Sequence, residues 1–473
     1  MKKNRTKIIA TVGPMCSNQA LLTSMVNSGV NCFRINLSHG TAEDKKSYFN
    51  LIRSIISDYD KTYPTILADL AGPKVRVMNL DKPIRLEKDQ TVLVSSEKDG
   101  PDIIPVSRDL SFGSMAKDAK IMIDDGRICL NIIKKVSKGT FECKTIIPGE
   151  IKSRKGVNFL GITLSIPTLT EQDKIDLELA LKNGADWIAL SFTRSAEDYK
   201  IVQSRIIDLG YDVPIMAKIE KWEAIENLDD IIRVFDGIMV ARGDLGVELP
   251  LERVPIIQKE IIKKARFAGK PVVVATQILE SMIQLPAPTR AEVSDIANSI
   301  LDGADALLVT GETAIGQHPG KVIDVLSSVI KETEKSIHVS SELIDNNINR
   351  GISNAISHAA CSIAHDLDLD TIVTMTQSGA TARFVSSFRP FAKIIAMTTL
   401  IKTFRQLSII WGIEAIIVPK YESSDEIPGL AKKVLSEMNI ETKNDKFIIT
   451  GGVPVNVPGT TNFISVLDNH VQA

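Results

Sequence analysis

Eight short apolar runs, each stopping abruptly at a polar or charged residue or at glycine, constrain this chain more than any other feature. They are TKIIATVG (6–13), NCFRINLS (31–38), TILADL (65–70), WIALSF (187–192), IMAKIE (215–220), GIMVAR (237–242), PVVVAT (271–276) and ALLVTG (306–311). Strands buried on both faces read as near-continuous apolar runs, and segments of helical periodicity separate these. In TEQDKIDLELALKNGAD, Thr170 suits an N-cap, Asp173 the third helical position and Gly184 the close. Eight strand–helix units predict an α/β fold, a (β/α)8 barrel of the TIM type, with its active site at the carboxyl ends of the strands. Two smaller doubly wound domains are the alternative.

The rhythm breaks between the third and fourth runs. Over 72–167, alternation and turns replace helices, as in PIRLEKDQTVLVSS and around Asp124-Asp125-Gly126. This predicts an inserted all-β lid, barrel-like, after strand 3, so that the catalytic barrel comprises 1–71 and 168–335. TIVTMT (371–376), KIIAMT (393–398), EAIIVPK (414–420) and KFIITGG (446–452) then predict a C-terminal open α/β domain over 336–473.

Charge at the end of a buried strand is costly unless it is paired or binds something. If the barrel closes, strand 2 delivers Arg34, Asn36 and Ser38, followed by His39. Strand 3 delivers Asp69, with Lys74 and Arg76 where the lid begins. Strands 5 and 6 deliver Lys218, Glu220, Gly243 and Asp244, and strand 7 delivers Thr276. Glu220 and Asp244 facing one lysine suit a Mg²⁺ seat for phosphoryl chemistry, or else a structural ion-pair network at the rim. No serine or cysteine triad emerges, and His39 alone of six histidines falls in this cluster.

Composition excludes other classes. A net charge of −2 argues against a nucleic-acid footprint. No apolar run approaches the roughly 18 residues of a membrane span, and the N-terminal apolar run is too short for a secretory signal. Five cysteines without a CxxC pair fit reduced thiols. A cytoplasmic location is the expectation.

FRINLSHG (33–40), MAKIE (216–220), MVARGDLGVELP (239–250), ATQILESM (275–282), PTRAEVSDIANSILDGADALLVTGETA (288–314) and SGATARFVSSFRP (378–390) occur in this order, and together they resemble pyruvate kinases. The resemblance implies transfer of the phosphoryl group of phosphoenolpyruvate to ADP, giving pyruvate and ATP. It implies that Glu220 and Asp244 hold Mg²⁺ (or Mn²⁺), with Arg34 and Lys218 on the phosphoryl group. The Gly243 and Asp244 amides would lie near the substrate carboxylate, and Thr276 beside the enolate. Asn36, His39 and Arg76 would contact nucleotide, with Lys155 or its neighbour Arg154 reaching the phosphates. ADLAGPKVR (68–76) departs from potassium-dependent relatives, which have Thr at Leu70 and Glu at Lys74. Within the monovalent-cation region of Asn36, Ser38 and Asp69, Lys74 is then expected to supply a fixed charge, so that K⁺ is not required. Thr376, Gln377, Ser378, Gly379 and Thr381 form a Ser/Thr-rich turn before a helix, which the resemblance makes a site for a sugar-phosphate-like effector. A homotetramer is implied as well, with 288–292 near a subunit contact. Two rivals remain: another Mg²⁺-dependent barrel enzyme acting on pyruvate-like acids, and a catalytically silent homologue.

Overall fold

The computed structural model describes residues 4–55, 64–97, 100, 103–107, 112–164, 166–336, 351–455, 457 and 459–468. Eight parallel strands close into a barrel: β1 (Lys7–Thr11), β2 (Val30–Asn36), β3 (Thr65–Asp69), β4 (Trp187–Leu190), β5 (Ile215–Ile219), β6 (Gly237–Ala241), β7 (Val272–Ala275) and β8 (Ala306–Val309). These are the eight apolar runs of the sequence. They are apolar on both faces because both are buried. Ile8, Phe33, Ile66, Ile188 and Ile238 pack outward among the surrounding helices. Ile9, Cys32, Leu67, Ala189, Met216 and Met239 fill the interior. The helix Glu171–Lys182 starts at Thr170 with a full capping box to Asp173, as its sequence signals.

Between β3 and β4, a seven-stranded sheet encloses its own core of Val75, Val94, Ile121, Leu130, Phe141 and Phe159. A bridge from Val77 to Val106 ties its edge strands Val75–Arg76 and Ile103–Pro105 together, so the sheet curls back on itself. This lid meets the carboxyl end of the barrel, where Asn158 Nδ2 donates to Glu248 Oε1 at 2.9 Å.

The C-terminal sheet has the order β11 (Ile413–Ile417), β10 (Lys393–Thr398), β9 (Thr371–Met375), β12 (Lys446–Gly452), β13 (Thr461–Asp468). Its last strand runs antiparallel and was not foreseen. β13 is a half-exposed edge that follows a loop rather than a helix, so the strand–helix rhythm gives no sign of it. Among the described residues no helix is long and apolar enough to cross a membrane.

This C-terminal unit closes the amino end of the barrel. Lys7 Nζ donates to Ile413 O at 2.9 Å, and Thr65 Oγ1 to Arg405 O at 2.6 Å. The barrel's interior cluster continues without a break into Ile372, Val385, Ile394 and Ile410. Asp305, just before β8, anchors the junction: it accepts from the Trp411 N–H at 3.0 Å and lies 3.1 Å from Arg389 Nη2. Asp305→Ala would leave Arg389, only 9% exposed, without its carboxylate. Breaking such a buried pair costs about 3–5 kcal/mol, so urea unfolding should show a loss of that size. A change under about 1 kcal/mol would mean that surface pairing, not this buried contact, describes the junction.

Candidate active site at the carboxyl end of the barrel

Alternation along each strand selects the side chains that reach the site. Cys32, Leu67, Ala189 and Met216 face the interior, so Arg34, Asp69, Ser191 and Lys218, two residues on, face it too. Glu220 follows Lys218 by the same step. The interior thus turns from apolar to charged within a single repeat.

Asp69, 1% exposed, is the hub. Arg34 Nε donates to its Oδ2 at 2.7 Å and Lys218 Nζ to its Oδ1 at 3.2 Å. Arg34 Nη1 also reaches Thr11 Oγ1 at 3.1 Å. Lys218 Nζ donates to Ser191 Oγ at 2.7 Å and lies 3.0 Å from Glu220 Oε1. The Phe192 N–H donates to Glu220 Oε2 at 2.9 Å. Burial pushes the Asp69 carboxyl up, but Lys218 and Arg34 outweigh it and hold the group below the usual carboxylate range. Burial likewise works against the Lys218 ammonium, yet Asp69 and Glu220 leave it raised. At Glu220, burial outweighs Lys218, and with Asp244 adding like charge the carboxyl is pushed up.

Asp244 sits in the short helix Arg242–Glu248 after β6, where Lys74 from the start of the lid donates to its Oδ1 at 2.8 Å. Burial would raise this carboxyl; Lys74 overrides that and lowers it. The Gly243 N–H donates to Thr276 Oγ1 at 2.8 Å, and Thr276 itself holds φ at +66°. On the β2 side, Asn36 Nδ2 and His39 Nδ1 are 3.2 Å apart, and the Ser38 N–H donates to Asn36 Oδ1 at 3.1 Å. Burial, then Arg76, Arg34 and Lys45, push the His39 imidazole down, which favours its neutral form. Arg76 Nη1 donates to Arg154 O at 3.2 Å, while Lys155 is paired with Asp124 at 2.8 Å.

Two family models match successive stretches of the chain. Residues 3–323 match the pyruvate kinase barrel domain, and residues 354–467 match the pyruvate kinase alpha/beta domain. The chain belongs to the pyruvate kinase family. It is a phosphotransferase by that membership. A pyruvate kinase of Thermotoga maritima is 42% identical over 470 residues, 98% of this chain and 99% of that one. One from Clostridium acetobutylicum is 38% identical over 98% of this chain and 99% of its own length. The crystal structure of a Cryptosporidium parvum pyruvate kinase superposes with a TM-score of 0.91 at 32% identity, covering 98% and 96% of the two chains.

Within this pyruvate kinase fold, the residues singled out by sequence at the carboxyl end of the barrel fall into three groups, with Lys155 apart from them. Arg34, Asp69, Lys218 and Glu220 form one bonded network. Lys74 with Asp244 and Gly243 with Thr276 adjoin it, and Asn36, Ser38, His39 and Arg76 line its β2 side. Lys155 is held in the lid by its own acid. Lys74 makes its ion pair with Asp244. Arg34 and Lys218 already occupy both Asp69 oxygens, whereas Asp244 has no other ion pair among the described residues. In the C-terminal unit, Thr376, Gln377, Ser378 and Thr381 line one recess with Gly459, Thr460 and Thr461. Thr381 Oγ1 and Thr461 Oγ1 are 2.6 Å apart, and Gly379 makes the turn with φ +80°.

Sequence reasoning missed Ser191 and Phe192. A serine two residues after an interior alanine on β4 was the available signal for the first. The second acts through its backbone N–H at φ +57°, which no side-chain motif announces.

Lys74→Met should let the Asp244 carboxyl rise, since Lys74 is the strongest influence lowering it. A depressed carboxylate contributes stability above the ordinary carboxylate range and loses it as pH falls through the depressed value. The stability gap between wild type and Lys74→Met should therefore be present at neutral pH and close in acid. A gap independent of pH would place Lys74 elsewhere.

Proposed function

We propose that this chain transfers the phosphoryl group of phosphoenolpyruvate to ADP, giving pyruvate and ATP. The convergence of Arg34 and Lys218 on one buried carboxylate, beside Glu220 and Asp244, carries this reading. With a divalent cation on Glu220 and Asp244, Arg34 and Lys218 would share only Asp69 and keep net positive charge for a phosphoryl group in transit. Catalysis of this kind is positioning and electrostatic preorganisation rather than covalent chemistry.

In this reading Arg34 binds the phosphoryl group, and Lys218 stabilises its charge as the bond to the enolate oxygen breaks. Glu220 and Asp244 are the residues to hold Mg²⁺, or Mn²⁺ in its place. Their fit rests on donor chemistry: both are hard oxygen ligands, and Asp244 opposes the charge on Glu220 until a cation joins them. Among the described residues no group of three or more acidic, His or Cys side chains makes a metal site alone, which suits an ion that also takes substrate oxygens and water. Such a metal supplies charge neutralisation on the phosphate oxygens. The Gly243 and Asp244 amides are proposed to meet the substrate carboxylate, the Gly243 N–H giving up its bond to Thr276 Oγ1. That hydroxyl then orders a water at the face where the enolate is protonated. Asn36, His39 and Arg76 face the nucleotide, with Lys155 or Arg154 beyond them on the lid.

Independence from K⁺ is also proposed. Leu70 brings no hydroxyl, and the Lys74 ammonium supplies a fixed charge at Asp244. The recess around Thr376, Gln377, Ser378 and Thr381 is proposed to take a sugar-phosphate-like effector, with Gly379 shaping the loop. A homotetramer, with 288–292 near a subunit contact, fits the exposure of Leu285 just before that segment.

Pyruvate formation from phosphoenolpyruvate, ADP and Mg²⁺ tests the reading directly. Turnover is expected in buffer free of K⁺ and Na⁺, and K⁺ should add little. Lys218→Met should lower kcat by roughly 10²–10³-fold, the usual cost of one transition-state donor. Turnover only with K⁺ would reject the fixed-charge role of Lys74, and an unimpaired Lys218→Met would reject the phosphoryl role of Lys218.

A further inference from the structure

At the opposite end of the barrel lies a second cluster of cations. A recess at the junction is lined on the barrel side by Arg266, Gly269, Lys270, Pro271 and Asp305, and on the C-terminal side by Arg383, Ser387, Arg389 and Ile410. Four cations thus meet one lining carboxylate. Asp305 is already committed: its Oδ2 accepts from the Val272 N–H at 2.9 Å, and its Oδ1 serves Arg389 and the Trp411 N–H. Among the described residues, the other three cations bond to carbonyl oxygens. Arg266 Nη2 reaches Ser387 O at 3.3 Å, Lys270 Nζ reaches Phe235 O at 2.6 Å, and Arg383 Nη1 reaches Ser378 O at 3.1 Å. Among the described residues, none of these three has a carboxylate ion pair. Asp236 acts on Lys270 and Arg383 from outside the recess.

Two buried donors remain without partners, Arg266 Nε from the barrel and Arg389 Nε from the C-terminal unit. Burial, with Arg389 close by, pushes Arg266 down to about 9. Buried charge persists when it is paired or ligated, and guanidinium forks match tetrahedral oxyanions.

We propose that this recess binds a phosphate-sized inorganic oxyanion, which joins the floor of the barrel to the C-terminal unit. The recess is small, which excludes a nucleotide, and the lining has several N–H donors where a halide would use fewer. The site differs from both the carboxyl-end centre and the Thr376–Thr381 recess, although Arg383 bonds to Ser378 and so touches the latter loop.

The test uses the full chain dialysed free of phosphate, with thermal unfolding followed as inorganic phosphate is added at constant ionic strength. Wild type should gain several degrees, sulfate should substitute, and chloride should not. Arg266→Gln should need at least tenfold more phosphate for the same gain, and Lys270→Gln should behave alike, which guards against a folding defect in either one. Without phosphate, Arg266→Gln should be no less stable than wild type, because it removes an unneutralised buried charge. Lys218→Met and Thr381→Val report on the other two places where phosphate can bind, and both should keep the wild-type response. Equal responses from wild type, Arg266→Gln and Lys270→Gln would overturn the site. So would a response lost in Thr381→Val but intact in Arg266→Gln.

Discussion

The charged end of the barrel depends on Asp69. A carboxylate that deep is stable because Arg34 and Lys218 approach it from neighbouring strands, and it in turn compensates them there, with Glu220 adding a second carboxylate at Lys218. Three strands are thereby fixed relative to one another at the point where β3 leaves for the lid. The arrangement keeps both cations rigid before any substrate arrives. A flexible lysine on a loop would have to be ordered during each turnover, whereas Lys218 is held from three sides by Asp69, Ser191 and Glu220.

The two ends of the barrel solve the same problem in opposite ways. At the carboxyl end, interior side chains become charged and face the lid. At the amino end they stay apolar and merge with the core of the C-terminal unit. Close-packed interiors transmit displacement poorly as bending and well as discrete shifts. A C-terminal unit docked on the strand ends through Lys7, Thr65 and Asp305 is therefore mechanically continuous with the strands that carry Arg34, Asp69 and Thr276.

Most of this was legible in the sequence because the barrel writes itself as a pattern. Apolar runs ending in Asp69, Lys218 or Arg242 gave both the strands and the end at which chemistry collects, and Thr170 with Asp173 gave a helix start. What escaped depended on partners distant in sequence or on backbone shape. The ammonium of Lys74 has a long reach, and its partner Asp244 lies 170 residues away in sequence. Phe192 contributes an N–H, which every residue but proline has. β13 lies at an edge with one face wet, so its apolar pattern is diluted, and the turn that pairs it with β12 carries no helical punctuation.

Thr276 shows how the fold forces a geometry that the chain would not choose. It and Gln277 both take positive φ, +66° and +54°, and for a β-branched residue that conformation is a genuine outlier. Strain of this kind costs on the order of 1–3 kcal/mol per residue and persists only where the surroundings over-determine it. Here they do. Arg242 Nη2 donates to Thr276 O at 2.7 Å and to Gln277 O at 3.2 Å, and its Nη1 is clamped by Asp295 at 2.5 Å. The Gly243 N–H then fixes the hydroxyl from the other side. Arginine follows strand β6 and threonine follows strand β7, so two adjacent strand ends are locked by one guanidinium. Thr276 Oγ1 is thereby aimed at the residue preceding Asp244, a position that relaxed extended backbone after Ala275 would not give it.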